Sequence, residues 1–263
     1  LNAASRKGLL LAALITMGWL VSLACLLSWD LNATLLARPW VWLAIFFGVV
    51  GRTLLQTGLF IVGHDAMHGV LWPHCRNRNA LLGRIALGLY AALPYQACCR
   101  NHQHHHLFTA SASDPDFHGD PAAGAIAWYA RFMAGYLTWG QMGRLLTGWT
   151  VLALIACRLA PFGWLNVLLF CTLPLLLSSL QLFVFGTYLP HRSQRLPQRR
   201  PHADSLELAP WLSLLACFHF GYHREHHDAP TLAWFELPAQ RRMARSRLSP
   251  RLASLLREKT QFT

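Results

Sequence analysis

The chain has 263 residues, 54% of them apolar, with 11 Trp, 14 Phe, a mean hydropathy of +0.30 and a formal net charge of +12. That is more apolar side chain than a soluble core of this size consumes, so the composition excludes an ordinary soluble domain and favours a membrane-embedded chain. The positive charge flanks apolar segments, which points to contact with anionic lipid rather than nucleic acid and also leaves a basic face for a small acidic electron carrier.

A helix crosses a bilayer core with ~20 consecutive apolar residues. Four stretches approach that length: residues 8 to 28, 41 to 62, 145 to 160 and 164 to 189. The first reads as an uncleaved membrane helix rather than a signal peptide, because its apolar run behind Arg6 and Lys7 is too long and no small-x-small cleavage site precedes Trp29. The absence of an initiator Met before Leu1 suggests that the chain starts late. Short turns near Asp30 to Trp40 and Pro161 to Trp164 would join the four into two hairpins, with both termini on one side. Arg6, Lys7, Arg76, Arg78, Arg84, Arg192, Arg195, Arg199, Arg200 and the tail from Arg241 to Lys259 lie outside those turns, which makes that side cytoplasmic.

Between the hairpins, Leu81 to Cys99 is apolar but carries Arg84 and Pro94, and Ala125 to Gly140 is rich in Trp and Tyr. Both read as helices at the membrane interface. No repeat, low-complexity tract or linker divides the sequence, so residues 1–263 read as a single domain. The expected fold is an all-α integral membrane protein: four transmembrane helices in two hairpins, interfacial helices and a cytoplasmic histidine-rich cap. The seven cysteines, Cys25, Cys75, Cys98, Cys99, Cys157, Cys171 and Cys217, show no C-x-x-C spacing and argue against a disulfide or zinc framework. Free thiols fit a reducing compartment.

The fourteen histidines are clustered. His64 and His68 are four residues apart where the second apolar stretch ends, so a continuing helix turns both imidazoles to one face. His102-Gln103-His104-His105-His106 and His223-Arg224-Glu225-His226-His227 both contain H-x-x-H-H. His104 has no counterpart in the third cluster, which favours a solvent-facing or supporting role. All three clusters fall on the same side of the expected hairpins, which points to a metal site.

Eight clustered imidazoles are too many for one zinc ion. The zincin signature H-E-x-x-H is absent, and so is the Glu-x-x-His of carboxylate-bridged di-iron bundles. Imidazole suits iron, copper, nickel and zinc alike, so ligand type leaves the metal open, while ligand number argues for two ions. Asp65, Asp114, Asp116, Glu225 and Asp228 stand beside the boxes. A carboxylate that accepts the outer N–H of a ligating histidine fixes its tautomer and orientation. Asp65 and Glu225 favour that role; Asp114-Pro115-Asp116 is equally a good turn.

The motifs HDAMHG (64–69), NHQHH (101–105) running into His106, DPDFH (114–118), WYARF (128–132), LFVFGTYLPHR (182–192) and FHFGYHREHH (218–227) resemble the bacterial β-carotene ketolases. The match continues through Pro230 and Trp234-Phe235-Glu236-Leu237-Pro238, about residues 60 to 240 in all. Fatty-acid desaturases and alkane hydroxylases share the H-x-x-H-H logic but not DPDFH or FGTYLPHR. The resemblance implies a membrane di-iron oxygenase that places a keto group on carbon 4 of a β-ionone ring by hydroxylating that carbon twice, the geminal diol then losing water. Dioxygen, two iron ions and an electron donor such as a ferredoxin with its reductase are implied with it.

It also implies that His64, His68, His102, His105, His106, His223, His226 and His227 are iron ligands. His191, in LPHR after the fourth stretch, is a further expected ligand, with His219 a secondary candidate; Asp65, Asp114, Asp116 and Glu225 are the expected supporting carboxylates. Two departures, the seven-residue spacer Leu107 to Ser113 and Phe235 where a second Trp is common, bear on substrate preference. A carotenoid ring would reach the metals from the bilayer, and Phe183, Phe185, Tyr188, Phe218, Phe220 and Tyr222 are the expected lining of its path. The alternatives are a carotenoid ring hydroxylase or fatty-acid desaturase with the same chemistry, and a metal transporter. The transporter should carry ionisable groups within its spans, where this chain has little besides Arg52 and Arg158.

Overall fold

The computed structural model describes residues 1–31, 40–120, 123–192 and 203–246. The expected turn before Trp40 lies largely outside them, as do Arg195, Arg199, Arg200 and the end of the basic tail. The described residues are helical and contain no strand. Four helices are long and apolar enough to cross a membrane: α1 (Ala3–Leu27), α2 (Trp40–Met67), α6 (Trp139–Leu159) and α7 (Gly163–Arg192). Each contains or overlaps one expected stretch. Between them lie α3 (Arg76–Ala91), α4 (Tyr95–Phe108) and α5 (Ala125–Tyr136), and after them the short α8 (Pro210–Cys217) and α9 (His223–Asp228).

Contacts fix how the long helices run. Along α1 and α2, Gly8 meets Leu71, Ile15 meets Gly58, and Leu26 meets Gly48, so the two are antiparallel. Between α2 and α7, Gly48 meets Phe170 while Thr57 bonds Ser178 and Gln181, so these are parallel. Helices α2 and α7 are about half buried and form the centre; α1 and α6 turn most of their apolar surface outward, as lipid-facing helices do.

Arg52 shows how a charge is accommodated there. Its Nε donates to Phe170 O at 2.9 Å and its Nη1 to Trp19 O at 2.7 Å, with the guanidinium 4.6 Å over the Trp19 ring. Phe170 lies in a wide π-type turn of α7 (Leu168–Thr172). Such turns displace carbonyls from the regular ladder, and Arg52 takes one up.

The stretch Leu81 to Cys99, expected to be broken by Pro94, is divided there between two helices. Ala92 adopts a left-handed conformation (φ 53°), its N–H and that of Leu93 close on Gly88 O and Leu87 O, and Pro94 opens α4. This break aims the second histidine box at the first. Likewise the expected helix Ala125 to Gly140 ends at Tyr136, and Thr138 caps α6 by accepting from Gln141 N at 3.2 Å.

Candidate metal centre

The first box occupies the last turn of α2, which runs past the expected boundary at residue 62 and carries His64 with it; His68 follows directly, its N–H bonded to His64 O. The second lies on α4, with His102 and His105 buried, His106 half-buried, and Gln103 and His104 exposed. The third forms α9. It is reached through two successive left-handed residues, Phe218 (φ 48°) and His219 (φ 63°), which reverse the chain after α8. His191 arrives from the end of α7, just beyond a second π-type turn (Phe183–Tyr188).

Ring nitrogens of His64, His68, His102 and His226 lie within 4.8 Å of one another, and so do those of His105, His191 and His223. His106 Nε2 joins the first group, 3.1 Å from His102 Nε2 and 3.0 Å from His226 Nε2. His227 Nε2 joins the second, 3.1 Å from both His105 and His223. The His106 and His227 rings stack at 4.2 Å and connect the groups. All nine histidines expected as ligands thus meet in one place. His104 packs on Phe108 in solvent, and His219 stacks between Tyr222 and Trp234, outside both groups.

Hydrogen-bond partners determine which nitrogen faces inward. His105 Nδ1 donates to Asp114 Oδ1 at 2.8 Å, and His191 Nδ1 donates to Thr187 O at 2.5 Å. Thr109 gives its one hydroxyl hydrogen to His105 O at 2.8 Å and so accepts from His227 Nδ1 at 3.2 Å. With Nδ1 protonated, a neutral ring turns a bare Nε2 lone pair inward. The Nε2 atoms of His64 and His191 are buried without any partner. One proton on His105 would serve one of its contacts and none of the others; a cation among the lone pairs satisfies all of them. Nitrogens bound to one ion at about 2 Å stand about 3 Å apart, as these do, so the residues fit metal ions.

Protonation agrees. Burial, then neighbouring imidazoles, pushes His68 down to about 4 and His106 to about 3, and holds His102, His223, His226 and His227 well below the usual histidine range. Neutral imidazole is the ligating form. His105 differs: burial opposes its charge, but the Asp114 hydrogen bond and the Asp116 carboxylate outweigh that and raise it.

The four supporting carboxylates have different fates. Besides His105, Asp114 accepts the N–H groups of Ala110 (2.7 Å) and Asp116 (2.9 Å); burial works against its charge, yet these bonds hold it below the usual range. The Asp-Pro-Asp segment is therefore a turn and a histidine support at once. Asp116, pushed up to about 6 by burial, accepts from Tyr136 Oη at 3.1 Å and stands 3.9 Å from His105 Nδ1. Asp65 lies 3.7 Å from His64 Nδ1 and accepts weakly from Trp234 N. Glu225, expected beside an imidazole, instead accepts from Arg241 Nη1 at 3.0 Å and from Ser205 Oγ. At about 100° per residue it sits on the far side of α9 from His223 and His227.

Two neighbouring cavities lie beside the histidines, and they share part of their walls. One of about 280 Å³, between α2, α5, α6 and α7, has almost wholly apolar walls. A second, about 20 Å³, touches His102, His105, His223 and Asp116. Phe60, Phe132, Tyr136 and Leu182 line both and form the throat between them. This corrects the expected aromatic lining, of which only Phe220 reaches either cavity. Phe183 and Tyr188 pack with Phe117 and Trp128 instead, Phe218 packs on Trp234, and Tyr222 bonds Leu208 O. The i, i+4 pair Phe132 and Tyr136 was the available signal for the walls of these cavities.

A fatty acid desaturase family model matches residues 39–257. β-Carotene ketolases from two strains of Paracoccus sp. are 42% identical over 217 residues (81% of this chain, 84% of the relative) and 40% identical over 236 residues (88% and 91%). A zeaxanthin 4-ketolase from Chlamydomonas reinhardtii is 38% identical over 227 residues, covering 83% of this chain and 48% of that longer protein. With all three histidine boxes inside the matched region, this chain belongs to the fatty acid desaturase family, among its β-carotene ketolases.

Proposed function

We propose that the chain is a carotenoid 4-ketolase: a single-domain, non-haem di-iron oxygenase that oxidises carbon 4 of the β-ionone rings of β-carotene to give echinenone and then canthaxanthin. The observation that carries this reading is the cage of nine clustered imidazoles, beside a small cavity that shares four lining residues with a larger apolar one. Two groups of histidines support two ions, one beside His64, His68, His102, His106 and His226, the other beside His105, His191, His223 and His227. Bound iron supplies dioxygen activation.

The residues of the chain do the rest. Asp114, Thr187 and Thr109 hold three imidazoles in the ligating tautomer. Asp65 and Asp116 lie one step farther out, and Glu225 fixes α9 through Arg241. The apolar cavity takes the ring from the bilayer and excludes water, and the depth of insertion selects the carbon because a hydrocarbon offers few polar handles. Two hydroxylations of that carbon and loss of water from the geminal diol give the ketone. Electrons come from a ferredoxin or similar carrier.

The four apolar helices associate the chain with a membrane. We place it in the bacterial inner membrane with the histidines and both termini cytoplasmic, because Arg6, Lys7, Arg76 and Arg78 stand at the histidine end of α1, α2 and α3. Pigment analysis of β-carotene-producing bacteria expressing the chain tests the function, beside a His226→Ala control. Ketocarotenoids from the parent alone establish it. A ring alcohol as the final product would make it a hydroxylase; untouched β-carotene beside iron-loaded protein would point to another substrate, such as a fatty acid.

A further inference from the structure

A six-membered ring with its methyl groups fits the 280 Å³ cavity but not the 20 Å³ space beside the histidines, so the throat must reshape around any ring that reacts. Of its four residues, Phe60, Phe132 and Leu182 offer only hydrocarbon. Tyr136 alone carries a polar group, and its hydroxyl is placed by a 3.1 Å hydrogen bond to Asp116 Oδ1. Asp116 in turn is buried against the small cavity, and its N–H is held by Asp114. Donating its hydrogen to Asp116 leaves the Tyr136 oxygen free to accept one. Among the four residues shared by the two cavities, that oxygen is the one side-chain acceptor.

Given the ketolase reading above, on which this rests, carbon 4 must come to the histidines. A substituent on the neighbouring ring carbon, carbon 3, then lies at the throat. A hydroxyl there would be costly to bury among hydrocarbon side chains alone. We propose that Tyr136, positioned by Asp116, is the specificity-determining residue that accepts a hydrogen bond from the 3-hydroxyl of a β-ring that carries one.

The test compares kcat/KM for β-carotene and for its 3,3′-dihydroxy derivative, presented in the same detergent to iron-loaded enzyme. Parent, Tyr136→Phe and Phe132→Leu are measured, with iron per chain alongside. The parent oxidises the hydroxylated ring at least as well as the plain one. Tyr136→Phe shifts the ratio against the hydroxylated ring by about tenfold, the scale of a buried hydroxyl left without its hydrogen-bond partner, whatever happens to the absolute rates. Phe132→Leu, which changes bulk and no hydroxyl, moves both substrates together. An unchanged ratio in Tyr136→Phe, or a parent that strongly prefers the plain ring, overturns the assignment. A parent inactive on both overturns the ketolase reading, and this inference with it.

Discussion

The two histidine groups are held by different means. In the first, His64, His68, His102 and His106 come from neighbouring positions on and just after two helices, and Asp65 stands 3.7 Å from His64 Nδ1. In the second, three of four outer nitrogens are tied: His105 to Asp114, His191 to Thr187 O and His227 to Thr109. Among the described residues, helix spacing orients the first group, whereas hydrogen bonds preorganise the second and make its ligands more basic. The first group should adapt more readily and hold its ion less tightly.

Removing a ligand gives the largest effect and shows whether the groups are separable. His223→Ala should abolish ketone formation, by at least about a hundredfold, and lower iron from two per chain toward one; His226→Ala should do the same from the other side. Iron assay with Mössbauer spectroscopy checks this. Equal loss of both ions from either variant would mean that the stacked His106 and His227 couple the groups into one unit. Asp114→Asn comes next. Removing this orienting carboxylate should weaken the second group's metal affinity about 10- to 100-fold, so that a chelator titration with two phases in the parent loses its tighter phase. A variant that lost the weaker phase would reverse the assignment of the two groups.

The parts of this comparison were unequally legible in the sequence. Apolar runs of membrane-crossing length show in composition alone, and the H-x-x-x-H and H-x-x-H-H spacings put imidazoles on one helical face before any tertiary contact is known. Asp114 was ambiguous because one carboxylate serves both a turn and His105. Glu225 misled because proximity in sequence to His226 says nothing about which side of a short helix it occupies. The throat was least visible: Phe60, Phe132, Tyr136 and Leu182 come from three distant helices, and a Tyr near an expected membrane interface looks like one more belt aromatic. Packing between distant segments leaves no period to read.

Glu225 offers a smaller test that acts on both groups together, since α9 supplies His226 to the first and His223 and His227 to the second. Glu225→Gln keeps the shape and removes the charge facing Arg241, at about 1–3 kcal/mol. A lower Tm with equal fractional loss of both ions is expected. Loss confined to one group would mean that Glu225 acts on a particular imidazole after all.

The smallest effect belongs to Asp65→Asn. At 3.7 Å from His64 Nδ1 its carboxylate is beyond hydrogen-bond distance, and the hydrogen bond it accepts from Trp234 N is long at 3.4 Å. An interaction that is not made cannot fix a tautomer. Asp65→Asn should therefore change iron affinity and ketone yield by no more than about threefold, far less than Asp114→Asn. If the two variants proved equally damaging, Asp65 would have to close on His64 once the ion is bound. The difference between a preorganised and an adaptable group would then belong only to the metal-free protein.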